Sequence, residues 1–171
     1  SSSGKNSACI GSIFEVTSAQ KDAPTTKSTP QLRKGPLTAK FKGPGSWQQV
    51  DIVIDSGAVA NVCPPELCKY LGTAPTRLSS SGAYYQAANG TKIFNQGERT
   101  INGQTQVGDN VDIMFQVCDV KRALGSTQEI TKAGNTLVFG EQGSYILNDA
   151  SGKRTPLEEK NGQSVLSIWM W

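Results

Sequence analysis

The residues most able to do chemistry lie in the run Asp55-Ser56-Gly57-Ala58, which directly follows the apolar segment VDIVI. That segment predicts a strand entering the core, so the carboxylate of Asp55 comes at the edge of an apolar interior. A buried carboxylate is costly unless hydrogen-bond donors satisfy it, and a serine hydroxyl and the N–H groups around a glycine are such donors. The pattern indicates a carboxylate held for acid–base chemistry. An aspartate that only caps its own turn is the alternative.

The residue types in the rest of the chain limit the kinds of reaction that it could catalyse. The 171 residues include no histidine, which excludes Ser-His-Asp and Cys-His nucleophile pairs and every His-ligated metal site. Of the four cysteines, only Cys63 and Cys68 are close in sequence, and this C-x4-C lacks the second pair that a four-thiolate zinc site needs. We therefore expect reduced thiols, no metal and no organic cofactor. Hydrolytic chemistry would use carboxylates, or Lys or Cys without His.

Charge divides the chain into two parts. Residues 1–46 hold seven Lys or Arg against two acidic residues and are rich in Ser, Thr, Pro and Gly. This composition predicts a flexible N-terminal segment that is a solvated linker or, alternatively, a basic tail that contacts nucleic acid. Its one apolar run, Ala8–Val16, predicts an edge strand that pairs with the folded part or with another chain. We expect residues 47–171 to form the folded domain.

The N-terminal residues lack the charged-then-apolar pattern of a signal peptide, and no apolar run is long enough to cross a membrane. We therefore expect a soluble, intracellular chain.

From Trp47 onward, short runs of strand-forming residues alternate with turn signals. They predict a strand that ends at Asp55, a hairpin around Asn89-Gly90 and another turn at Asn102-Gly103. The domain is expected to be all-β, with about eight strands and two short helices in a barrel-like arrangement.

Two segments carry helix signals. Pro64–Gly72 has prolines where a helix can begin and a glycine where it can end. Ser126–Ala133 has a capping box, with Glu129 three residues after Ser126. We therefore predict a short helix in each segment, one soon after Asp55 and one later in the chain.

Four segments occur in an order that resembles a known family. They are VDIVIDSGA, YYQAANGTKIFNQGE, ALGSTQEITKAGNTLVF and GSYILNDASGKRTPLEEKNGQSVLSIW. Together they resemble the retropepsin-like aspartic proteases, most closely the protease region of copia-type retrotransposon polyproteins, over about residues 47–169. The resemblance implies the closed β-barrel lobe of a retropepsin-like acid protease, which processes a polyprotein in the cytoplasm or in a retroelement particle.

The resemblance also implies a role for each residue that matches the family pattern. Asp55 would be the catalytic carboxylate, Ser56 the hydroxyl that braces the loop, and Gly57 part of the loop that approaches substrate. Ser56 stands where retroviral enzymes usually have Thr, and it keeps the hydroxyl. Substrate-binding residues would be Ala58 and, at the tip of the flap, Ala88, Asn89 and Gly90. Leu124-Gly125 would pack behind the catalytic loop.

One aspartate per chain implies two chains. Two neighbouring carboxylates share a proton, so that one polarises a water while the other donates to the scissile carbonyl. Because the sequence has no second Asp-Ser/Thr-Gly, the resemblance implies a symmetric homodimer acting on a peptide or polyprotein. Candidate segments for pairing between the chains are Ala8–Val16 and Val165–Trp169 with Trp171.

Two other functions remain open from the residues. The first is a catalytically inactive, retroelement-derived binding or assembly module whose basic tail contacts nucleic acid. The second is a β-rich structural protein in which Asp55 only caps a turn.

Overall fold

The computed structural model describes the backbone of residues 7–10 and the full structure of residues 47–170. These residues form twelve strands: β1 Ser7–Ile10, β2 Gln48–Asp55, β3 Val62–Cys63, β4 Tyr84–Ala87, β5 Lys92–Phe94, β6 Glu98–Thr105, β7 Asn110–Val117, β8 Ala123–Ser126, β9 Asn135–Val138, β10 Ser144–Asn148, β11 Arg154–Lys160 and β12 Gln163–Met170. The helices are α1 Arg77–Ser80, α2 Thr127–Lys132 and a 3₁₀ turn, Lys69–Leu71. None of these described helices is long and apolar enough to span a lipid bilayer.

Six of the strands close into a barrel in the order β2-β8-β3-β7-β6-β12. The ring closes because β12 pairs back onto β2, antiparallel, with Val165 opposite Val53 and Met170 opposite Gln48. β2 and β8 are parallel, as are β3 and β7. The prediction of an all-β fold with two short helices and a closed barrel is therefore confirmed.

Buried apolar side chains form two clusters. One joins residues of the barrel strands to Leu157 of β11 and includes Phe115, Ile52 and Ile168. The other lies between the ring and the β4–β5 hairpin and includes Val53, Ala58, Tyr85, Ala87, Ile93 and Leu124. The second cluster fixes the position of the hairpin, because in it the residues around Asp55 pack against apolar side chains of the hairpin.

Outside the barrel, two smaller groups of strands extend the fold. β11, β10 and β9 continue antiparallel from β12. β4 pairs antiparallel with β5, and β1 adds to the other edge of β4 in parallel. The predicted edge strand Ala8–Val16 thus overlaps an observed strand at Ala8–Ile10, whereas its remainder, the predicted flexibility of residues 11–46 and the place of Trp171 lie outside the described residues.

The helix predicted over Pro64–Gly72 is wrong, because only Lys69–Leu71 forms a 3₁₀ turn. Cys68 adopts a left-handed conformation (φ 52°), which interrupts any helix at that point. The buried Arg99 guanidinium also donates to three carbonyl oxygens of the segment. These carbonyls belong to Pro65, Leu67 and Gly72. The carbonyls that would accept helical hydrogen bonds are held instead by a side chain of β6.

The turn predicted at Asn102-Gly103 is also wrong, since both residues lie within β6. Gly103 is used for a close approach rather than a turn, because a Cβ there would lie 2.8 Å from the carbonyl oxygen of Trp169. The chain turns later, at Gly108, whose φ is 88° and whose N–H donates to Thr105.

β12 is paired along both edges, with β2 on one side and with β11 and β6 on the other. Its residues from Val165 to Met170 are buried. The Val165–Trp169 segment therefore has no free edge in this fold with which to pair with a second chain.

Candidate active site

Asp55 is the last residue of β2 and is 6% exposed. Its Oδ1 accepts a hydrogen bond of 2.8 Å from the N–H of Gly57, and its backbone carbonyl accepts from the N–H of Ala58. The carboxylate is thus held by the tight turn that follows the strand, as the sequence predicts. Ser56 is exposed and Gly57 is half-buried beside it. The three residues assigned to catalysis therefore lie together, with the serine hydroxyl toward the outside.

A buried serine braces this turn from the neighbouring strand. Ser126 ends β8, lies opposite Asp55 in the parallel register and is 0% exposed. Its Oγ donates to the carbonyl of Ala58 at 2.6 Å and accepts from the N–H of Glu129, which caps α2. The sequence predicts the cap through the Ser126–Glu129 spacing. The hydrogen bond from Ser126 to the carbonyl of Ala58, which joins the cap to the loop after Asp55, cannot be predicted from neighbouring residues.

Asn61 completes the brace and is absent from the sequence prediction. Its Oδ1 accepts from the N–H of Ser126 at 2.9 Å, and its Nδ2 donates to the carbonyl of Met114. Its own carbonyl accepts from the N–H of Gln116. Asn61 therefore links the loop to β7 and β8 at once. The sequence around Asn61 does not predict this role, because the residues it bonds, in β7 and β8, are distant in sequence.

Leu124 and Gly125 lie beside the strand that carries Asp55, opposite Val53 and Ile54. A Cβ on Gly125 would lie 3.2 Å from a methyl group of Ile52. The absence of a side chain there lets β8 pack closely against β2. These two residues support the position of the loop and bring no reactive group to it.

The β4–β5 hairpin packs against the Asp55 loop. Tyr85 and Ala87 of β4 share an apolar cluster with Ala58, which is 0% exposed. The structure thus places Ala58, expected to bind substrate, with its methyl group under the hairpin. At the exposed tip, Asn89 Oδ1 accepts from the N–H of Thr91 at 3.0 Å, and Gly90 has a φ of 85°. The turn is a three-residue loop, Ala88–Gly90, rather than a two-residue one.

A buried polar network fixes the root of the hairpin to the barrel. Asn95, directly after β5, donates to Gln116 at 2.6 Å and to the Tyr85 hydroxyl at 3.4 Å. Its Oδ1 accepts from the N–H of Gly97 at 2.8 Å. Gln116 in turn donates to Glu98. Burial raises the pKa of Tyr85 to about 12, although the hydrogen bond with Asn95 acts in the opposite direction. The root is therefore anchored, whereas the tip is exposed.

An apolar cavity lies on the other face of β2. It has a volume of about 440 Å³ and its walls include Ile52, Ile54, Ile130 and Ile146. Successive side chains of a strand point to opposite faces, so this cavity faces away from Val53 and Asp55. Its walls come from the barrel, α2 and the β9–β11 extension, and they include Asn61 and Gly125, which support the Asp55 loop from that side.

The chemistry available at this site is that of a carboxylate. Within residues 47–170, no group of three or more His, Cys, Asp and Glu is arranged to hold a metal ion. Cys63, Cys68 and Cys118 are buried free thiols, and burial raises the pKa of Cys63 to about 11 and that of Cys118 to about 12. Such thiols are poor nucleophiles at neutral pH, because the thiolate is the reactive form.

Compared with known proteins, the chain matches no family model, no curated protein and no solved structure. Its function must therefore be inferred from the geometry of its own residues.

Proposed function

We propose that this chain is an aspartic endopeptidase of the retropepsin type, active as a homodimer to which each chain contributes Asp55. The observation that carries the proposal is the position of Asp55. It is a buried carboxylate at the end of a barrel strand, held by the N–H of Gly57 in a turn that Ser126 braces from the next strand. An aspartate that only capped its own turn would not require this second brace from β8.

In the proposed dimer, the two Asp55 carboxylates meet on the two-fold axis. Like charges about 3 Å apart do not both ionise, so the pair holds one proton. The ionised carboxylate takes a proton from a water as that water attacks the scissile carbonyl. The protonated one donates its proton to the carbonyl oxygen. When the tetrahedral intermediate collapses, the proton taken from water passes to the leaving amine and the hydroxyl proton returns to the second carboxylate, so the pair again holds one proton. In this proposed dimer Ser56, which is exposed beside Asp55, bridges the two loops.

The β4–β5 hairpin supports a peptide as substrate. Its strand β4 lies against the Asp55 loop through Tyr85 and Ala87, and its tip, Ala88–Gly90, is exposed. A polypeptide in extended conformation binds to such an element through main-chain hydrogen bonds, with its side chains alternating between pockets. The substrate class is therefore an extended segment of a polypeptide, such as a junction in a polyprotein.

The first test compares peptide cleavage by the wild type, Asp55→Asn and Asp149→Asn at mildly acidic pH. Asp149 is a matched control, because it lies in the exposed turn Asp149-Ala-Ser-Gly152 and accepts only from Thr136. We expect Asp55→Asn to lose at least about 10³-fold in rate, because asparagine cannot accept or donate the shared proton. Asp149→Asn should cleave like the wild type. Equal activity of wild type and Asp55→Asn would refute the proposal.

Mixing the two chains tests the dimer. In an equilibrated equal mixture of wild type and Asp55→Asn, about one quarter of all dimers contain two wild-type chains. Cleavage should therefore fall to about one quarter of the undiluted rate rather than to about one half. A fall to one half would indicate a single-chain catalyst. A wild type that is dimeric by sedimentation but inert would favour a binding module with this fold.

A further inference from the structure

The outer edge of β4 has backbone groups that point away from the hairpin. On the hairpin side, the N–H of Ala87 donates to Thr91 and the carbonyl of Ala83 accepts from Asn95. Backbone groups alternate in direction along a strand, so Ala83, Tyr85 and Ala87 face β5. The N–H and C=O groups of Tyr84 and Gln86 therefore face the opposite edge, where an extended peptide can pair with them.

β1 occupies that edge. Its four residues run parallel to β4, from Ser7 opposite Tyr84 to Ile10 opposite Ala87. β1 pairs with no other described strand, and the chain reaches the barrel only through residues 11–46. Toward the hairpin, Ser7–Ile10 is thus placed as a short extended peptide would be. Addition of a strand to a sheet edge is one of the common ways in which proteins bind peptides.

We propose that Ser7–Ile10 is an internal competitor of the substrate, bound to the edge of β4 on which extended peptides bind. The proposal rests on the proposed protease function. A strand paired with β4 lies about 4.8 Å from it, and β4 itself packs against Ala58 of the Asp55 loop. Two peptides cannot both use the groups of Tyr84 and Gln86. Substrate binding on this edge therefore requires that β1 leave.

Two proline substitutions separate this contact from other effects. In a parallel pair, a residue forms its hydrogen bonds with the two neighbours of the residue opposite it. Ala8 lies opposite Tyr85, so its N–H points toward β4, and the N–H of the next residue, Cys9, points away. Ala8→Pro removes a donor to β4. Cys9→Pro introduces the same ring one residue later and leaves the ladder bonds in place. Neither residue lies in the barrel, so both variants should keep its stability.

Hydrogen exchange tests the contact without any activity. We expect the amide of Gln86 to exchange about tenfold faster in Ala8→Pro and within about twofold of wild type in Cys9→Pro. The amides of Tyr85 and Ala87, which face β5, should be unchanged in both. The synthetic peptide NSACIGS, added in millimolar excess to Ala8→Pro, should restore protection of Gln86, and a scrambled peptide should not. Unchanged exchange in Ala8→Pro would overturn the proposal.

Cleavage kinetics test the competition. We expect Ala8→Pro to have a KM several-fold lower than that of the wild type with the same kcat, and Cys9→Pro to match the wild type in both constants. If exchange changes but KM does not, β1 does not compete with substrate and the proposal fails, whereas the protease function stands. If exchange and the NSACIGS result hold but no variant cleaves, the protease function fails and β4 remains a peptide-binding edge.

Discussion

The closed barrel and the β4–β5 hairpin hold their positions by different means. Each of the six barrel strands has a neighbour on both sides, because β12 returns to β2. The hairpin sheet β1-β4-β5 is open, and it meets the barrel through the apolar cluster and the Asn95 network. Asp55 belongs to the barrel and the proposed substrate edge to the hairpin. The whole closed barrel therefore fixes the position of the carboxylate, whereas the hairpin proposed to bind peptide can open locally.

Two phenylalanines test this difference most strongly. Phe115 of β7 is 0% exposed inside the barrel, whereas Phe94 of β5 is 56% exposed and contacts the ring of Tyr84. We expect Phe115→Ala to lower the free energy of unfolding by about 3–5 kcal/mol. Phe94→Ala should lower it by less than about 1 kcal/mol. Urea unfolding followed by circular dichroism measures both, and equal losses would contradict the division into a global and a local part.

The polar root of the hairpin gives the next largest effect. Asn95→Ala leaves the buried oxygen of Gln116 and the N–H of Gly97 without their hydrogen-bond partner, so we expect a loss of about 1–3 kcal/mol. Gln96→Ala, at the exposed neighbouring position, is the matched control and should change stability by less than about 0.5 kcal/mol. Hydrogen exchange should locate the Asn95→Ala effect in β4 and β5. Faster exchange spread evenly through the barrel would contradict a local anchor.

Alkaline pH should destabilise the fold first through the buried thiol of Cys118 and at higher pH through Tyr85. Burial raises the pKa of Cys118 from 9.0 to about 12 and that of Tyr85 from 10.0 to about 12. At a pH between the unfolded-state pKa and the folded-state pKa of either group, the unfolded chain has lost a proton that the folded chain keeps. The free energy of unfolding therefore falls as the pH rises toward the folded-state pKa. At pH 10, Cys118 alone should account for a loss of about 1.4 kcal/mol relative to pH 8.

The variant Cys118→Val tests whether the buried thiol causes this loss of stability at high pH. Its urea midpoint should fall less between pH 8 and pH 10 than that of the wild type. Below pH 8 the urea midpoints of the two proteins should change with pH by the same amount. Tyr85 should add to the loss only above pH 10. An equal decrease in both proteins between pH 8 and pH 10 would show that the buried thiol does not contribute.

The smallest effect is expected at the tip of the hairpin. Gly90 has a φ of 85°, and a Cβ there would meet only the end of the Gln86 side chain, at 3.9 Å. Gly90→Ala therefore strains the backbone without a clash, and we expect a loss of about 1 kcal/mol. Exchange should increase in β4 and β5 alone. A fall in barrel protection of the same size would mean that the tip is coupled to the ring.

The sequence predicts the parts of this molecule that depend on neighbouring residues. The strand ending at Asp55 follows from a run of apolar residues, and α2 follows from a cap three residues before its partner, Ser126 to Glu129. The predictions at Pro64–Gly72 and Asn102-Gly103 fail for a common reason. Arg99 captures the carbonyls of the first segment, and Trp169 requires the close approach of Gly103. Both partners are far away in sequence.

The candidate site divides in the same way. Asp55 and the N–H of Gly57 that holds it are predictable, because the turn is local. The brace through Asn61 and Ser126 is not, since it exists only once β7 and β8 lie beside the loop. Closure of the barrel depends in turn on the register of β12 against β2, which no local pattern specifies.

That register also sets the stage of synthesis at which the barrel behind Asp55 can close. β2 leaves the ribosome before its partner β12, which is among the last described residues to be made. Translation at about 5–20 residues per second leaves β2 without this partner for on the order of 10 s. During that interval the Asp55 turn lacks a closed ring behind it. A nascent chain that already contains Asp55 therefore lacks the closed barrel, so under the proposed function cleavage would begin only after the strand ending at Met170 has emerged.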